Sequence, residues 1–121
     1  MKLHLAQNPN QNLITGYGAG YVSVNGRRYE RNLIVTPNEI VADWSMRAEL
    51  DEAALAPAVQ LAPQIILIGT GKTLRFPKPE VLKVLIAAKI GYEIMDTQAA
   101  CRTYNILLEE GRKVAAALIL V

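Results

Sequence analysis

The residues whose types could do chemistry begin with Gly69-Thr70-Gly71-Lys72-Thr73, joined further along by Asp96-Thr97. A glycine-rich turn can offer backbone N–H groups to an anion. Lys72, Arg75 and Lys78 would make its surroundings positive. The turn is not an ATP-binding P-loop. A Walker sequence needs glycine where Ile66 stands, and a helix from Thr73, where Leu74-Arg75-Phe76-Pro77 follows instead. Asp96 and Thr97 precede an amphipathic stretch, and either side chain can accept a hydrogen bond from an unpaired first-turn N–H. The candidate anion site therefore holds Gly69, Thr70, Gly71, Lys72, Arg75, Asp96 and Thr97. The same residues would equally serve to cap and turn the backbone with no ligand present.

A second set lies on the helix that follows. At about 100° per residue, Ala100, Cys101, Tyr104, Leu107 and Leu108 share one face. Gln98, Arg102, Asn105 and Glu109 share the opposite one. Arginine presents a planar fork of donors suited to carboxylate or phosphate, and asparagine one acceptor and two donors. With Thr103 alongside and Ile106 lying off the apolar face, Arg102, Asn105, Ile106 and Glu109 form a candidate partner surface. The alternative is a helix back that faces only water. Cys101 reads as a small buried hydrophobe. The one histidine, His4, is far from it in sequence, so no catalytic thiol is expected. The sequence shows no Ser-His-Asp set, no spaced carboxylate pair and no metal-ligand cluster. No catalytic residue, metal or cofactor is expected.

The elements that must position these residues follow from punctuation and periodicity. Leu3 to Ala6 reads as a short strand. Gly16, Gly18 and Gly20 alternate in a way that suits a twisted or bulged strand and not a dinucleotide fingerprint, because no helix follows. Tyr21 to Glu30 is a hairpin about Asn25-Gly26, the preferred pair for a type I′ turn. Leu33-Ile34-Val35-Thr36-Pro37 is expected to continue its second arm. Glu39 to Trp44 reads as a further strand with Ile40, Ala42 and Trp44 on one face. Arg27, Arg28 and Arg31 mark a charged, protected sheet edge in preference to a nucleic-acid contact. Asp51 should cap a helix through Leu55, Ala58, Val59 and Ala62, with Pro57 inside it and Pro63 ending it. Gln64-Ile65-Ile66-Leu67-Ile68 has the unbroken apolar run of a strand covered on both faces. Pro79 fits the first turn of a helix whose buried stripe is Leu82, Leu85 and Ile86, stopped by Gly91. Tyr92 to Met95 is a strand, the amphipathic helix follows with Gly111 as its stop, and Lys113 to Val121 is a final strand. Strand, helix, strand, helix, strand gives two βαβ-type crossovers with parallel pairing. The fold class is α/β. The expectation is a single-domain layered fold over residues 1–121, with a mixed central sheet and an N-terminal antiparallel hairpin portion.

A chain of 121 residues, 51% hydrophobic, can bury a core of its own. A net charge of +2 is too small to argue for nucleic acid. No apolar run reaches the length of a membrane span, and the start of the chain looks like neither a signal peptide nor a mitochondrial targeting extension. The expected location is the cytoplasm.

Four stretches together resemble a known family: Ile66-Leu67-Ile68-Gly69-Thr70-Gly71, Gly91-Tyr92-Glu93-Ile94-Met95-Asp96-Thr97, Ala99-Ala100-Cys101-Arg102-Thr103-Tyr104-Asn105-Ile106-Leu107, and Glu110-Gly111-Arg112-Lys113-Val114-Ala115-Ala116-Ala117-Leu118. They look like the small conserved domain of unknown function found in archaea and bacteria. Its animal relatives include mitochondrial complex I (NADH dehydrogenase) assembly factor three and an adipogenesis-associated protein. The resemblance implies a three-layered α/β domain with a mixed sheet, no established activity and no agreed cofactor. The expected function is a non-catalytic binding or assembly-factor-like module with a protein partner. The alternative is a small enzyme or sensor that takes an anionic metabolite at the Gly69–Gly71 and Thr97 corner. Formation of a homo-oligomer is left open, and neither nucleic acid nor membrane is an expected partner.

Overall fold

The structure, a computed structural model, describes residues 10–45 and 50–120. The strand expected at Leu3 to Ala6 lies outside the described residues. Strands β1 (Ile14–Gly18), β2 (Tyr21–Val24) and β3 (Arg27–Tyr29) form a three-stranded antiparallel sheet. The β2–β3 turn holds Asn25 at φ 52° and Gly26 at φ 84°, the two left-handed residues a type I′ turn requires. β1 carries the irregularity foreseen from its glycines, with a register shift between Ile14 and Gly16.

The larger sheet is mixed. Its strands are β4 (Leu33–Val35), β5 (Ile40–Val41), β6 (Ile65–Gly69), β7 (Gly91–Met95) and β8 (Val114–Leu118), in the order β5-β4-β8-β6-β7. β8, β6 and β7 run parallel, while β4 is antiparallel to both β8 and β5. The helices are α1 (Glu52–Gln60), α2 (Pro79–Ala87) and α3 (Thr97–Glu109). α2 links β6 to its neighbour β7. α3 links β7 back past β6 to β8, so the two connections run in opposite directions and their helices lie on opposite faces.

Alternation in the buried strands builds both faces. Ile66, Ile68, Ala115 and Ala117 pack toward α1 and α2 with Trp44, Leu55, Val81 and Leu85. Leu67, Val114, Ala116 and Leu118 pack toward α3 and the small sheet, with Val22, Val24, Cys101 and Tyr104. The layers are therefore two helices, the mixed sheet, and α3 beside the three-stranded sheet. Burying each such Leu or Ile contributes about 1.5–3 kcal/mol.

Several boundaries differ from the sequence reading. Leu33–Val35 does not extend the hairpin but crosses to the larger sheet and pairs with β8. Asn32 makes the corner: its side-chain oxygen accepts from the Leu120 N–H at 2.7 Å and its carbonyl from the Trp44 N–H at 2.8 Å. The strand expected at Glu39 to Trp44 ends at Val41, because Asp43 turns the chain at φ 53°. Trp44 is buried by its own contact, the indole N–H donating to the Ala54 carbonyl at 2.7 Å. α1 stops at Gln60, with Ala62 outside it at φ 53°. Pro57 is tolerated inside because the carbonyl it leaves unpaired is that of exposed Ala53, open to water. In α2 the buried residues are Val81 and Leu85, and Ile86 is 61% exposed. A helix that leans on one neighbouring helix and an edge strand buries only a narrow i, i+4 stripe, and Ile86 falls outside it. Lys89, at φ 60°, makes the turn expected of Gly91, which instead begins β7. The last strand is shorter than expected and ends at Leu118.

Candidate functional site

β6 and β7 lie side by side, parallel, and their carboxyl ends lead to opposite faces of the sheet. In open α/β sheets that is where a crevice for a ligand forms. The structure brings Gly69, Thr70, Gly71, Asp96 and Thr97 together there, as the sequence led us to expect. Hydrogen bonds run across the crevice. The Thr70 N–H donates to the Met95 carbonyl at 2.9 Å, and the Thr97 N–H to the Gly71 carbonyl at 2.9 Å. The Gly71 N–H donates to the Thr97 hydroxyl at 2.8 Å, which itself donates to the Ile119 carbonyl at 2.7 Å. Asp96 caps α3 by accepting from the Ala99 N–H at 2.9 Å. Its carboxylate therefore stands at the positive end of the helix, where an anion would go.

Gly69 shows how closely these parts approach. A Cβ there would sit 3.0 Å from both the Thr97 Cα and its hydroxyl oxygen, and 3.2 Å from the Ala100 Cβ. Only glycine lets the first turn of α3 rest on the end of β6. Gly71 is needed for a different reason, its φ of +98°. The N–H groups of Thr70, Gly71 and Thr97 all have protein partners. Every buried side-chain nitrogen and oxygen among the described residues has a hydrogen-bond partner.

The lacing also fixes what leaves the corner. The Thr70 hydroxyl donates to the Thr73 carbonyl at 2.7 Å and accepts from the Arg75 N–H at 3.1 Å. These bonds shape the base of the loop 70–78, while Lys72, Leu74, Arg75 and Phe76 stand out in solvent. Leu74 is 51% exposed and Phe76 74%. Sequence reasoning took from this loop only its glycines and cations. The alternation of Lys72, Leu74, Arg75, Phe76 and Lys78 was the signal for the rest.

The candidate partner surface on α3 divides in two. Arg102 and Ile106 face outward, Ile106 at 57% exposure. Arg102 donates to the Tyr17 hydroxyl at 3.2 Å with its guanidinium 5.9 Å from the centre of the Tyr17 ring. That hydroxyl, foremost, holds the guanidinium pKa above its ordinary value. Asn105 instead clamps β1: its oxygen accepts from the Ile14 N–H at 3.0 Å and its amide donates to the Ile14 carbonyl at 2.8 Å. Tyr104, buried one residue earlier, donates to the Asn12 carbonyl at 2.7 Å. No spacing in the sequence could reveal these partners, which lie some ninety residues away. Glu109 is exposed and engaged in an interaction of its own. Arg112 pairs with Glu110 at 3.8 Å.

Cys101 is fully buried, and burial, more than any neighbouring charge, pushes its thiol up to about 12. A thiol so held is not a nucleophile near neutral pH. The arginines of the hairpin are stacked and paired at the exposed edge strand β3. Arg28 lies 3.8 Å from the Tyr21 ring centre and bonds Glu30 at 2.8 Å, and Arg27 lies 5.3 Å from the Tyr29 ring centre. Among the described residues no three His, Cys, Asp or Glu gather as a metal site. No helix among them is long and apolar enough to cross a membrane.

Residues 14–119 match the family described as protein of unknown function (DUF498/DUF598). The Bos taurus NADH dehydrogenase (ubiquinone) 1 alpha subcomplex assembly factor 3 is 32% identical over 110 residues, which cover 88% of this chain and 59% of the relative. The chain thus spans about three fifths of that relative's length. A crystal structure of a Bordetella parapertussis protein superposes with a TM-score of 0.85 at 41% identity, covering 92% of this chain and 97% of that one. Another, described as an outer membrane protein from Bartonella henselae, gives a TM-score of 0.82 at 29% identity, covering 93% and 98%.

Proposed function

The chain belongs to the DUF498/DUF598 family of proteins of unknown function, and on that footing we propose that it is a non-catalytic binding module of the assembly-factor kind, with a protein partner held on the outward face of α3. The observation that carries this reading is Ile106. It is a large apolar side chain, 57% exposed on an otherwise anchored helix, one turn from the exposed Arg102. Arginine is enriched in protein interfaces, and the apolar side chain beside it would add area removed from water on binding. The name of the bovine relative, an assembly factor for NADH dehydrogenase, supports the same class. In this reading the chain works from the cytoplasm, Asn105 keeps the binding helix in register with β1, and Tyr104 ties it to Asn12 just before that strand.

The other reading, an anionic metabolite at the Gly69–Gly71 corner, loses the backbone donors it requires, since Thr70, Gly71 and Thr97 use theirs internally. Lys72 and Arg75 remain exposed beside it but are not converged on a cavity by any hydrogen bond of the corner.

The test places a photo-crosslinking residue at position 106 in cells of the source organism. A discrete protein adduct, lost when Arg102 is also changed to Glu, is the expected outcome. Purified protein that turned over phosphoesters or carboxylic substrates, with turnover abolished by Asp96→Asn, would overturn the proposal.

A further inference from the structure

The chain's charge is unevenly spread. Residues 72–89 hold five of the thirteen basic residues (Lys72, Arg75, Lys78, Lys83 and Lys89) and one of the eleven acidic ones, Glu80. That span is net +4, and the rest of the chain, with eight basic and ten acidic residues, is net −2. The same span carries Leu74, Phe76 and Ile86, three of the four large apolar side chains exposed among the described residues. Positive charge and exposed apolar surface therefore coincide, and Lys72, Leu74, Arg75, Phe76 and Lys78 do so on a loop whose base is pinned by the Thr70 hydroxyl.

We propose that the loop 72–78, with the start of α2 behind it, docks on an anionic lipid surface, Leu74 and Phe76 entering the headgroup–acyl boundary while Lys72, Arg75 and Lys78 meet lipid phosphates. Two features favour a bilayer over a protein groove. First, the apolar side chains are themselves the most exposed part of the loop, Phe76 at 74%, as a penetrating tip requires. Second, cations flank them on both sides in sequence, with no acid from Gly69 to Pro79. Burial of a few apolar groups is weak on its own, and so is attraction by a few cations. Together they give stable yet reversible attachment. The pinned base means that little chain entropy is lost when the tip inserts. This surface is separate from Ile106 and Arg102, so it adds a lipid contact to the proposed protein contact and does not depend on it.

The experiment is co-sedimentation of the purified chain with vesicles of phosphatidylcholine alone and with 30% phosphatidylglycerol. Binding to the anionic vesicles at least tenfold stronger than to the neutral ones is expected. Lys72→Glu with Arg75→Glu should reduce it at least tenfold, as should Leu74→Ser with Phe76→Ser. Ile106→Asp should leave it unchanged, which separates this proposal from the one for α3. No preference for anionic vesicles, or binding that survives both loop variants, would overturn the proposal. Phe76→Trp provides a second reading that needs no loss of function. Its emission should shift to the blue on anionic vesicles and be quenched by brominated acyl chains. Unchanged emission, the result if the loop instead serves an acidic protein, would overturn it equally.

Discussion

α2 and α3 stand in equivalent places, each following one of two adjacent parallel strands, and the chain treats their N-termini in opposite ways. α3 begins directly after β7, capped by Asp96, with Thr97 tied to both Gly71 and Ile119. α2 begins only after the loop 70–78, and its cap residue Lys78 makes no side-chain hydrogen bond to the helix. α3 buries Thr97, Ala100, Cys101, Tyr104 and Leu108, and α2 only Val81 and Leu85. The crevice between the two strands, where a ligand would sit in many α/β folds, has been used to fasten one helix. The other is lifted on a loop that displays apolar and basic side chains. The difference teaches that polar residues at a favoured ligand position can be taken up by structural hydrogen bonds, while the residues nearby that stay exposed include large apolar ones.

The contrast can be broken most forcefully at Tyr104. Its ring is fully buried between α3 and the two sheets. Tyr104→Ala should cost about 3–5 kcal/mol of unfolding free energy in urea titration. The equivalent truncation on α2, Ile86→Ala, should change it by less than about 0.5 kcal/mol. Equal losses would show that the helices are anchored alike.

Alkaline pH attacks the same side of the molecule. The Cys101 thiol has an ordinary value of 9.0 and is pushed up to about 12 by burial. Between those values the unfolded chain has released a proton that the folded chain still holds. The contribution is therefore complete below pH 9 and is lost progressively as pH rises toward 12. Tyr104, raised by burial, acts in the same direction. Urea midpoints should fall over this window, with loss of protection in α3 before α2 by hydrogen exchange.

Thr97→Val sharpens the comparison at the corner. It leaves the Gly71 N–H and the Ile119 carbonyl without their partner, which should cost about 1–3 kcal/mol for each group left buried. The loop 70–78 should then become more mobile, visible as lowered amide order parameters. The smallest effects are at the caps. Asp96→Ala should destabilise by about 1 kcal/mol, and Lys78→Ser, which gives α2 the cap it lacks, should stabilise by about 0.5 kcal/mol, both read as shifts in the urea midpoint.

Much of this arrangement was legible in the residues. The Asn25-Gly26 turn, the apolar run of β6, a cap at Asp96 or Thr97 and the apolar face of α3 each rest on local periodicity or turn chemistry, and the structure has them, with Asp96 as the cap. The glycine turn meets Thr97 because β6 and β7 are parallel neighbours whose carboxyl ends lie side by side. What local pattern could not carry was the destination of hydrogen bonds. Asn105 reads as a surface residue until Ile14 is placed against it, and Asn32 as loop filler until it turns β4 out of the hairpin. Ile86 reads as part of a buried stripe because an apolar residue at the right spacing looks the same whether or not a neighbour covers it. The exposure of Phe76 is invisible in the residues for a related reason: it depends on what the fold leaves uncovered.

The measurement that bears most directly on this account is residue-resolved native-state hydrogen exchange of the 70–78 segment and the start of α3, with and without phosphate, sulfate and nucleotides. With the corner held by its internal hydrogen bonds, the amides of Thr70, Gly71 and Thr97 should exchange as slowly as those of β6, those of Lys72, Leu74 and Phe76 should exchange fast, and no anion should change either. Fast exchange at Gly71 and Thr97 that one of these anions slows would contradict it and restore the corner as a ligand site.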